Sequence, residues 1–182
     1  MEFTIRLARQ TDAQNIHDAY EECVKGENIT FTIVNPSVEE YRQKIVHTLE
    51  YYPFYVAEGK DGEFLGYVYG SPLRPHDAYK WNVESTIVLS KNAPRRCGIA
   101  TALYGAFFET LLVQGFKSVY AVIVDGNIPS IALHESLGFV RESKSENIGY
   151  KDGKWRGILW YKKQLAPYDT PIEPIPFSKL EH

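Results

Sequence analysis

Cysteine is scarce. Cys23 and Cys97 are the only two in the chain, and they lie far apart with no paired spacing. That pattern excludes a disulfide framework, argues against a zinc site and suits a reducing, cytoplasmic setting. Long apolar runs are also missing. No stretch approaches the ~20 apolar residues that a membrane span requires, and the opening Met1-Glu2-Phe3-Thr4-Ile5-Arg6 has no basic start followed by an apolar run, so no secretory signal is expected there. Charge of one sign is not in excess either: 20 Lys and Arg stand against 23 Asp and Glu, a net charge of −3. Such a balance exerts no global pull on nucleic acid or anionic membrane. The expectations are no nucleic-acid partner, no membrane and no metal.

What the chain does have is an ordinary globular make-up. Its 182 residues are 44% hydrophobic and include 13 tyrosines, enough for one domain with a real core. Residues 3–8 alternate as a first strand. Thr11 and Asp12 are good capping residues before Ile16, Ala19, Tyr20 and Cys23, which recur at helical spacing. Ser37 and Glu40 form a capping-box pattern ahead of Val38, Tyr41, Ile45 and Leu49. Residues 54–58 and 63–71 flank the turn Lys60-Asp61-Gly62 as a hairpin. Strands are predicted at 81–89 and 119–124, and helices at 98–115 and from Pro129 to Leu137. Two closing strands, 139–149 and 155–165, surround Lys151-Asp152-Gly153. The order predicts a mixed α/β sheet with helices on both faces. One domain spans 1–166. Residues 167–179, with Pro167, Pro171, Pro174 and Pro176, form an extended tail lying on the domain or on a partner chain. Residues 180–182 read as a tag remnant.

The strongest chemical signal is Arg95-Arg96-Cys97-Gly98-Ile99-Ala100, between a strand and a helix. A phosphate-bearing ligand needs free backbone N–H groups at a helix N-terminus, small residues for close approach, and nearby cations. Gly98 and Ala100 supply the approach, and Arg95 and Arg96 the charge. An ordinary capped helix with two surface arginines fits the same residues. No Gly-Lys-Ser/Thr follows, so it is not a Walker loop.

This segment resembles the Arg/Gln-x-x-Gly-x-Gly/Ala motif of the GNAT superfamily of N-acetyltransferases. The resemblance extends to Tyr79-Lys80-Trp81-Asn82-Val83-Glu84-Ser85-Thr86, to Asn127-Ile128-Pro129-Ser130 followed by Leu133-His134-Glu135-Ser136-Leu137-Gly138-Phe139, and to Gly149-Tyr150-Lys151. Together these are similar to phosphinothricin acetyltransferases over residues 3–176. Two features depart from the pattern: the turn 90–94 is one residue longer, and Ala100 stands where Gly is common. The resemblance implies a mostly antiparallel GNAT-type sheet, acetyl-CoA as cosubstrate, and direct acetyl transfer to the amine of a small amino-acid-like acceptor such as phosphinothricin or methionine sulfoximine or sulfone. It also implies a homodimer. Two other readings stay open: acetylation of a protein N-terminus or other amine, and a non-catalytic acyl-CoA-binding module.

The resemblance implies site residues as well. Glu84 is the candidate general base. His134 is a candidate to protonate the leaving thiolate or to assist the base, with half-buried packing as its alternative. Ile87, Val88 and Leu89 offer backbone groups to the pantetheine arm, with the Val88 N–H expected on the thioester oxygen. Arg95, Arg96, Cys97, Gly98, Ile99, Ala100 and Thr101 form the phosphate turn. Asn127 and Ser130 either bond pantetheine amides or cap their helix. Thr30 and Phe31 line the acceptor pocket, Tyr79 and Trp81 form its walls, and Arg74 either grips an acceptor anion or lies on the surface.

Overall fold

The computed structural model describes residues 2–180. Its seven strands form one sheet in the order β1-β2-β3-β4-β5-β7-β6. They are β1 (Phe3–Leu7), β2 (Phe54–Gly59), β3 (Phe64–Pro72), β4 (Asn82–Leu89), β5 (Ser118–Val124), β6 (Val140–Lys151) and β7 (Lys154–Gln164). The helices are α1 (Ala13–Lys25), α2 (Val38–Tyr51), α3 (Ile99–Gln114) and α4 (Ile128–Ser136). Every strand pairing is antiparallel except β4 with β5. Each element predicted from periodicity is present, displaced by at most a few residues.

Local chemistry explains the boundaries. Ser37 accepts a hydrogen bond from the Glu40 N–H at 3.3 Å while Glu40 accepts from the Ser37 N–H at 2.7 Å, the reciprocal capping box. Gly115 ends α3 at φ +91°, a left-handed position open to glycine without steric cost. The β6–β7 turn places Asp152 at φ +51° and Gly153 at φ +75°, the pair of positive angles that a tight two-residue hairpin demands.

Side chains alternate across each strand, and the two faces bury different helices. Phe54, Val56, Tyr67, Tyr69 and Val88 pack with Ala13, Ile16 and Ala19 of α1 and with Tyr41 and Ile45 of α2. Ala57, Leu65, Val68, Val83, Val119, Ala121, Ile123, Leu159 and Tyr161 pack with Ile99, Leu103, Tyr104, Phe107 and Leu111 of α3. The ladder registers extend the first face to Glu84, Thr86, Tyr120, Trp160 and Arg156, because Ser71 pairs with Glu84, Glu84 with Tyr120, Tyr120 with Lys162 and Val122 with Trp160.

The proline-rich segment lies on its own domain. The Ile175 N–H donates to the Gln114 carbonyl at 2.9 Å, and the buried Gln114 amide returns a bond to the Ile175 carbonyl at 2.7 Å. Trp81 Nε1 donates to the Ile172 carbonyl at 2.7 Å. Residues 181 and 182 of the expected tag remnant fall outside the described residues.

Asp12 differs from its expected role. It occupies the N-cap position of α1, but its carboxylate does not cap that helix. It accepts two 2.8 Å bonds from the Arg6 guanidinium and one of 2.7 Å from the Arg9 N–H. Arg6 also reaches Glu58 of β2, so this network ties the first strand and the start of α1 to the sheet. Burial pushes the Asp12 carboxyl up, yet the bonds from Arg6 and Arg9 outweigh it and hold the group below the usual carboxylate range. A carboxyl with a depressed folded-state pKa stabilises the fold above its ordinary pKa, and that contribution fades as pH falls through the depressed value. Asp12→Asn is expected to cost about 1–3 kcal/mol at neutral pH. Urea unfolding should show that difference shrinking in strong acid; an equal deficit at every pH would contradict the assignment.

Candidate active site

The sheet is incomplete at its centre. The parallel β4–β5 ladder runs only from Asn82–Ser118 to Glu84–Tyr120. Beyond it Ser85–Leu89 and Ala121–Val124 share no rungs, although β4 stays paired to β3 and β5 to β7. Two parallel strands that part after three rungs leave a wedge lined by unpaired backbone groups, and such groups require another partner.

Which amides face the wedge follows from alternation. The Trp81 carbonyl accepts from Lys117, on the β5 side, while the Ser90 N–H donates to Leu65, on the β3 side. The β3–β4 register is unbroken between them. Odd-numbered residues Ser85, Ile87 and Leu89 therefore turn their N–H and C=O groups into the wedge. Val88 turns its own toward β3, contrary to the expectation that its N–H would meet a thioester oxygen. The neighbouring Ile87 and Leu89 amides have the required direction.

The open end of the wedge meets the start of α3. Arg96 and Gly98 both have positive φ, +59° and +79°, bending the chain into a turn that presents successive N–H groups. No side chain caps α3. The first helical bond to the turn runs from Ala102 N–H to the Gly98 carbonyl, so the amides of Ile99, Ala100 and Thr101 precede the helix's own ladder. A Cβ built on Gly98 would meet nothing within 4 Å. Arg95, Arg96 and Cys97 are exposed around this opening. The residues fit a pyrophosphate: free amides, a positive dipole end, two guanidinium groups and clear space.

Glu84 stands at the closed end of the wedge, half-buried, on the α1/α2 face. Burial pushes its carboxyl above the ordinary range, and the Arg74 cation pulls the other way. The Arg74 guanidinium lies 4.7 Å from the Trp160 ring centroid and donates to the Leu73 carbonyl at 2.8 Å. Glu84, Arg74 and Trp160 thus form one cluster. Trp160 escaped the sequence reading because an aromatic residue in a closing strand looks like packing.

His134 is on the opposite face. It is 3% exposed, deeper than the half-buried alternative. Its Nδ1 lies 2.7 Å from the Ser130 carbonyl, which can only accept, so Nδ1 carries the proton. Nε2 then accepts from the Tyr104 hydroxyl at 2.8 Å, and the Tyr104 oxygen lies 3.0 Å from the Ser85 hydroxyl. Burial lowers the His134 pKa and the Ser130 bond only partly opposes this, so the surroundings favour the neutral ring. Burial also raises the Tyr104 phenol well above its usual value. The chain Ser85–Tyr104–His134 reaches the wedge just past its last rung. Tyr104 was hidden in sequence among the apolar residues of α3.

The remaining residues divide. Asn127 accepts from the Ser130 N–H at 3.3 Å and caps α4. Thr30 bonds Tyr20 of α1 at 2.9 Å, and Phe31 lies against Gly149 of β6. Trp81 is committed to the tail, and its side chain alternates away from the Glu84 face. Tyr79 is exposed beside His76, ring centroids 6.5 Å apart.

A family model described as an acetyltransferase (GNAT) domain matches residues 5–160. The chain belongs to that family, and the protein is an N-acetyltransferase by descent and fold. It is 31% identical over 173 residues to the phosphinothricin N-acetyltransferase of Streptomyces viridochromogenes, covering 94% of this chain and 93% of that one. It is 32% identical over 116 residues to an L-methionine sulfoximine/L-methionine sulfone acetyltransferase of Pseudomonas aeruginosa, covering 64% of this chain and 67% of the relative. The crystal structure of a GNAT superfamily phosphinothricin acetyltransferase from Sinorhizobium meliloti in complex with AcCoA matches with a TM-score of 0.89 at 31% identity, over 99% of this chain and 98% of that one.

The opposing influences on Glu84 generate a pH test. Removing the Arg74 cation leaves burial unopposed, so in Arg74→Ala the carboxyl pKa rises further. The acidic limb of kcat/KM should move to higher pH relative to wild type, measured with one acceptor amide so that the amine's own titration cancels. A limb that stays in place, or moves down, would show that Arg74 does not act on Glu84.

Proposed function

We propose that the protein transfers the acetyl group of acetyl-CoA to the amino group of a small amino-acid-like acceptor, of the kind named for its phosphinothricin- and methionine-sulfoximine-acetylating relatives. The observation that carries this reading is the wedge itself. It is a strand-shaped slot with free amides along one wall, a phosphate-suited turn at its open end and a carboxylate at its closed end. In this reading the Arg96–Thr101 amides and Arg95 hold the pyrophosphate. The Ile87 and Leu89 backbone groups pair with the pantetheine arm as a missing strand would. Glu84 takes a proton from the acceptor amine, directly or through water. A raised pKa suits that task, because a base with its pKa nearer the working pH drives proton transfer better. The thiolate departs with the bonding electron pair and takes its proton from solvent at the open end of the wedge. The Tyr104 hydroxyl already gives its one proton to His134 Nε2, so this buried pair braces β4 behind Ser85.

Arg74 supports an acceptor that carries an anion. A guanidinium stacked on Trp160 and close to Glu84 would bind a carboxylate while the base addresses the amine of the same molecule. A cytoplasmic setting agrees with two unpaired cysteines, and no described helix is long and apolar enough to cross a membrane.

Two variants separate binding from chemistry. Glu84→Gln should lower kcat by about 10²–10⁴-fold and leave the calorimetric affinity for acetyl-CoA near wild type. Gly98→Glu should abolish that affinity, since it puts an anion where the phosphates sit. Free-thiol release over a panel of amino acids and their amides reads the first. A loss under about threefold in Glu84→Gln would remove Glu84 as the base.

We also propose a homodimer. Val140, Ile148, Tyr150 and Trp155 are all more than half exposed on the β6–β7 hairpin, an apolar surface that a single copy leaves uncovered. Light scattering at micromolar concentration should return twice the chain mass; the monomer mass would reject it.

A further inference from the structure

Lys151, the last residue of β6, is buried, with 5% of its surface exposed. A lysine that deep ordinarily faces a carboxylate. This one instead donates to two main-chain carbonyls, Val24 at 2.6 Å and Thr30 at 3.1 Å. Val24 belongs to the last turn of α1, where carbonyls lack helical partners and the dipole is negative. The ammonium is therefore seated on a helix C-terminus and on the loop that follows it. The hairpin grips the same loop at three more points. Lys154 pairs with Glu27 at 3.1 Å, and Arg156 bonds both Asn28 and Glu27. The Phe31 ring lies so close to Gly149 that a Cβ there would fall 2.6 Å from its Cε2 atom.

The position of this clamp bears on the reaction. Gly149 pairs with Arg156, and Arg156 shares the sheet face of Trp160 and Glu84. Arg156 and Trp160 are four positions apart, about 13 Å along β7. Asn28 approaches Gly126, just beyond β5, within 3.4 Å of where a Cβ would lie. The 26–32 loop consequently stands across the open end of the surface on which Glu84, Arg74 and Trp160 cluster, and Thr30 and Phe31 form its inner part.

We propose that Lys151 is a positioning residue for acceptor binding: its buried ammonium locks the end of α1 and the Thr30 carbonyl to the β6–β7 hairpin, and so holds Thr30 and Phe31 as the far wall of the acceptor pocket. This rests on the acetyl-transfer reading above for its kinetic consequences, but the lock itself can be measured without any acceptor. Lys151 touches no reacting atom. It acts by removing the freedom of a loop that an acceptor would otherwise have to order on binding.

Lys151→Met keeps the length of the side chain and removes the cation and its donors. Hydrogen exchange should accelerate at least tenfold over residues 24–32 and stay unchanged in β4 and α3. The acceptor KM should rise tenfold or more, with kcat within about threefold of wild type and the acetyl-CoA dissociation constant unchanged. Lys151→Arg, which retains a cation able to reach carbonyls, should recover most of the acceptor KM. Wild-type exchange across 24–32 in Lys151→Met would overturn the lock. Faster exchange with an unchanged acceptor KM would overturn its role in binding. Equal losses in acetyl-CoA affinity and acceptor KM would overturn it in favour of general stability. Should Lys151→Met fail to fold, Gly149→Ala leaves Lys151 in place and displaces the Phe31 ring. It must then raise the acceptor KM without altering acetyl-CoA affinity, and an unchanged KM would overturn the proposed wall. If no acceptor on the panel is turned over by the wild type, the acetyl-transfer reading fails while the exchange experiment still decides the lock.

Discussion

The parting of β4 and β5 after three rungs is the constraint on which the rest of the molecule turns. A continuous parallel pair would satisfy its own backbone and leave nothing for a ligand. Here β4 remains fully paired to β3 and β5 to β7, so each strand keeps its shape while one edge of each is surrendered. Such a gap is tolerable only because both flanking half-sheets are well anchored. Tyr104, Leu103, Phe107 and Leu111 of α3 pack beneath it with Val83, Val119 and Ala121, and the Ser85–Tyr104–His134 chain crosses that layer.

The same gap lets the two sheet faces cooperate. Glu84 and His134 are separated by the alternation of β4 and could not meet across a closed sheet. At the vertex of the wedge, Glu84 lies on one face while Ser85 and Tyr104 reach it from the other. Their environments differ in kind. Glu84 is half-buried beside a cation, which moderates the effect of burial on its carboxyl. His134 and Tyr104 are enclosed and held neutral by desolvation, in a fixed tautomer set by the Ser130 carbonyl. The two groups are thus separated by a sheet rather than by distance along a cleft.

The Glu84 face is finished by parts remote in sequence. Arg74 comes from the loop after β3, Trp160 from β7, and Thr30 and Phe31 from the loop after α1. The ion pairs Lys154–Glu27 and Arg156–Glu27 are exposed on the Glu27 side and contribute little each. The enclosed Lys151 bonds to Val24 and Thr30 are of a different kind, since losing the ammonium would strand two carbonyls away from water.

Sequence alone determined what short-range chemistry dictates. The helices follow from 3.6-residue periodicity with the Ser37–Glu40 box and the glycine stops, the hairpins from Asp-Gly turns, and the phosphate turn from small residues and arginines ahead of an apolar helix. Glu84, Gly98 and His134 stood out as candidates because they fall in runs that resemble the motifs of a known family. Only the tertiary structure decided the relations that depend on pairing and burial. Which amides of β4 face the wedge is set by the β3 register, and that turned Val88 away and Ile87 inward. Trp81 became a support for the tail because its carbonyl and indole are taken by Lys117 and Ile172. Asp12 left its helix for Arg6. The partners of Tyr104, Trp160 and Lys151 emerge only in the fold, because a side chain's contacts across 30 or 120 residues leave no trace in local spacing. The fold's identity is written in periodicity and turn chemistry; the working geometry of the site is written in contacts that exist only after the chain has closed on itself.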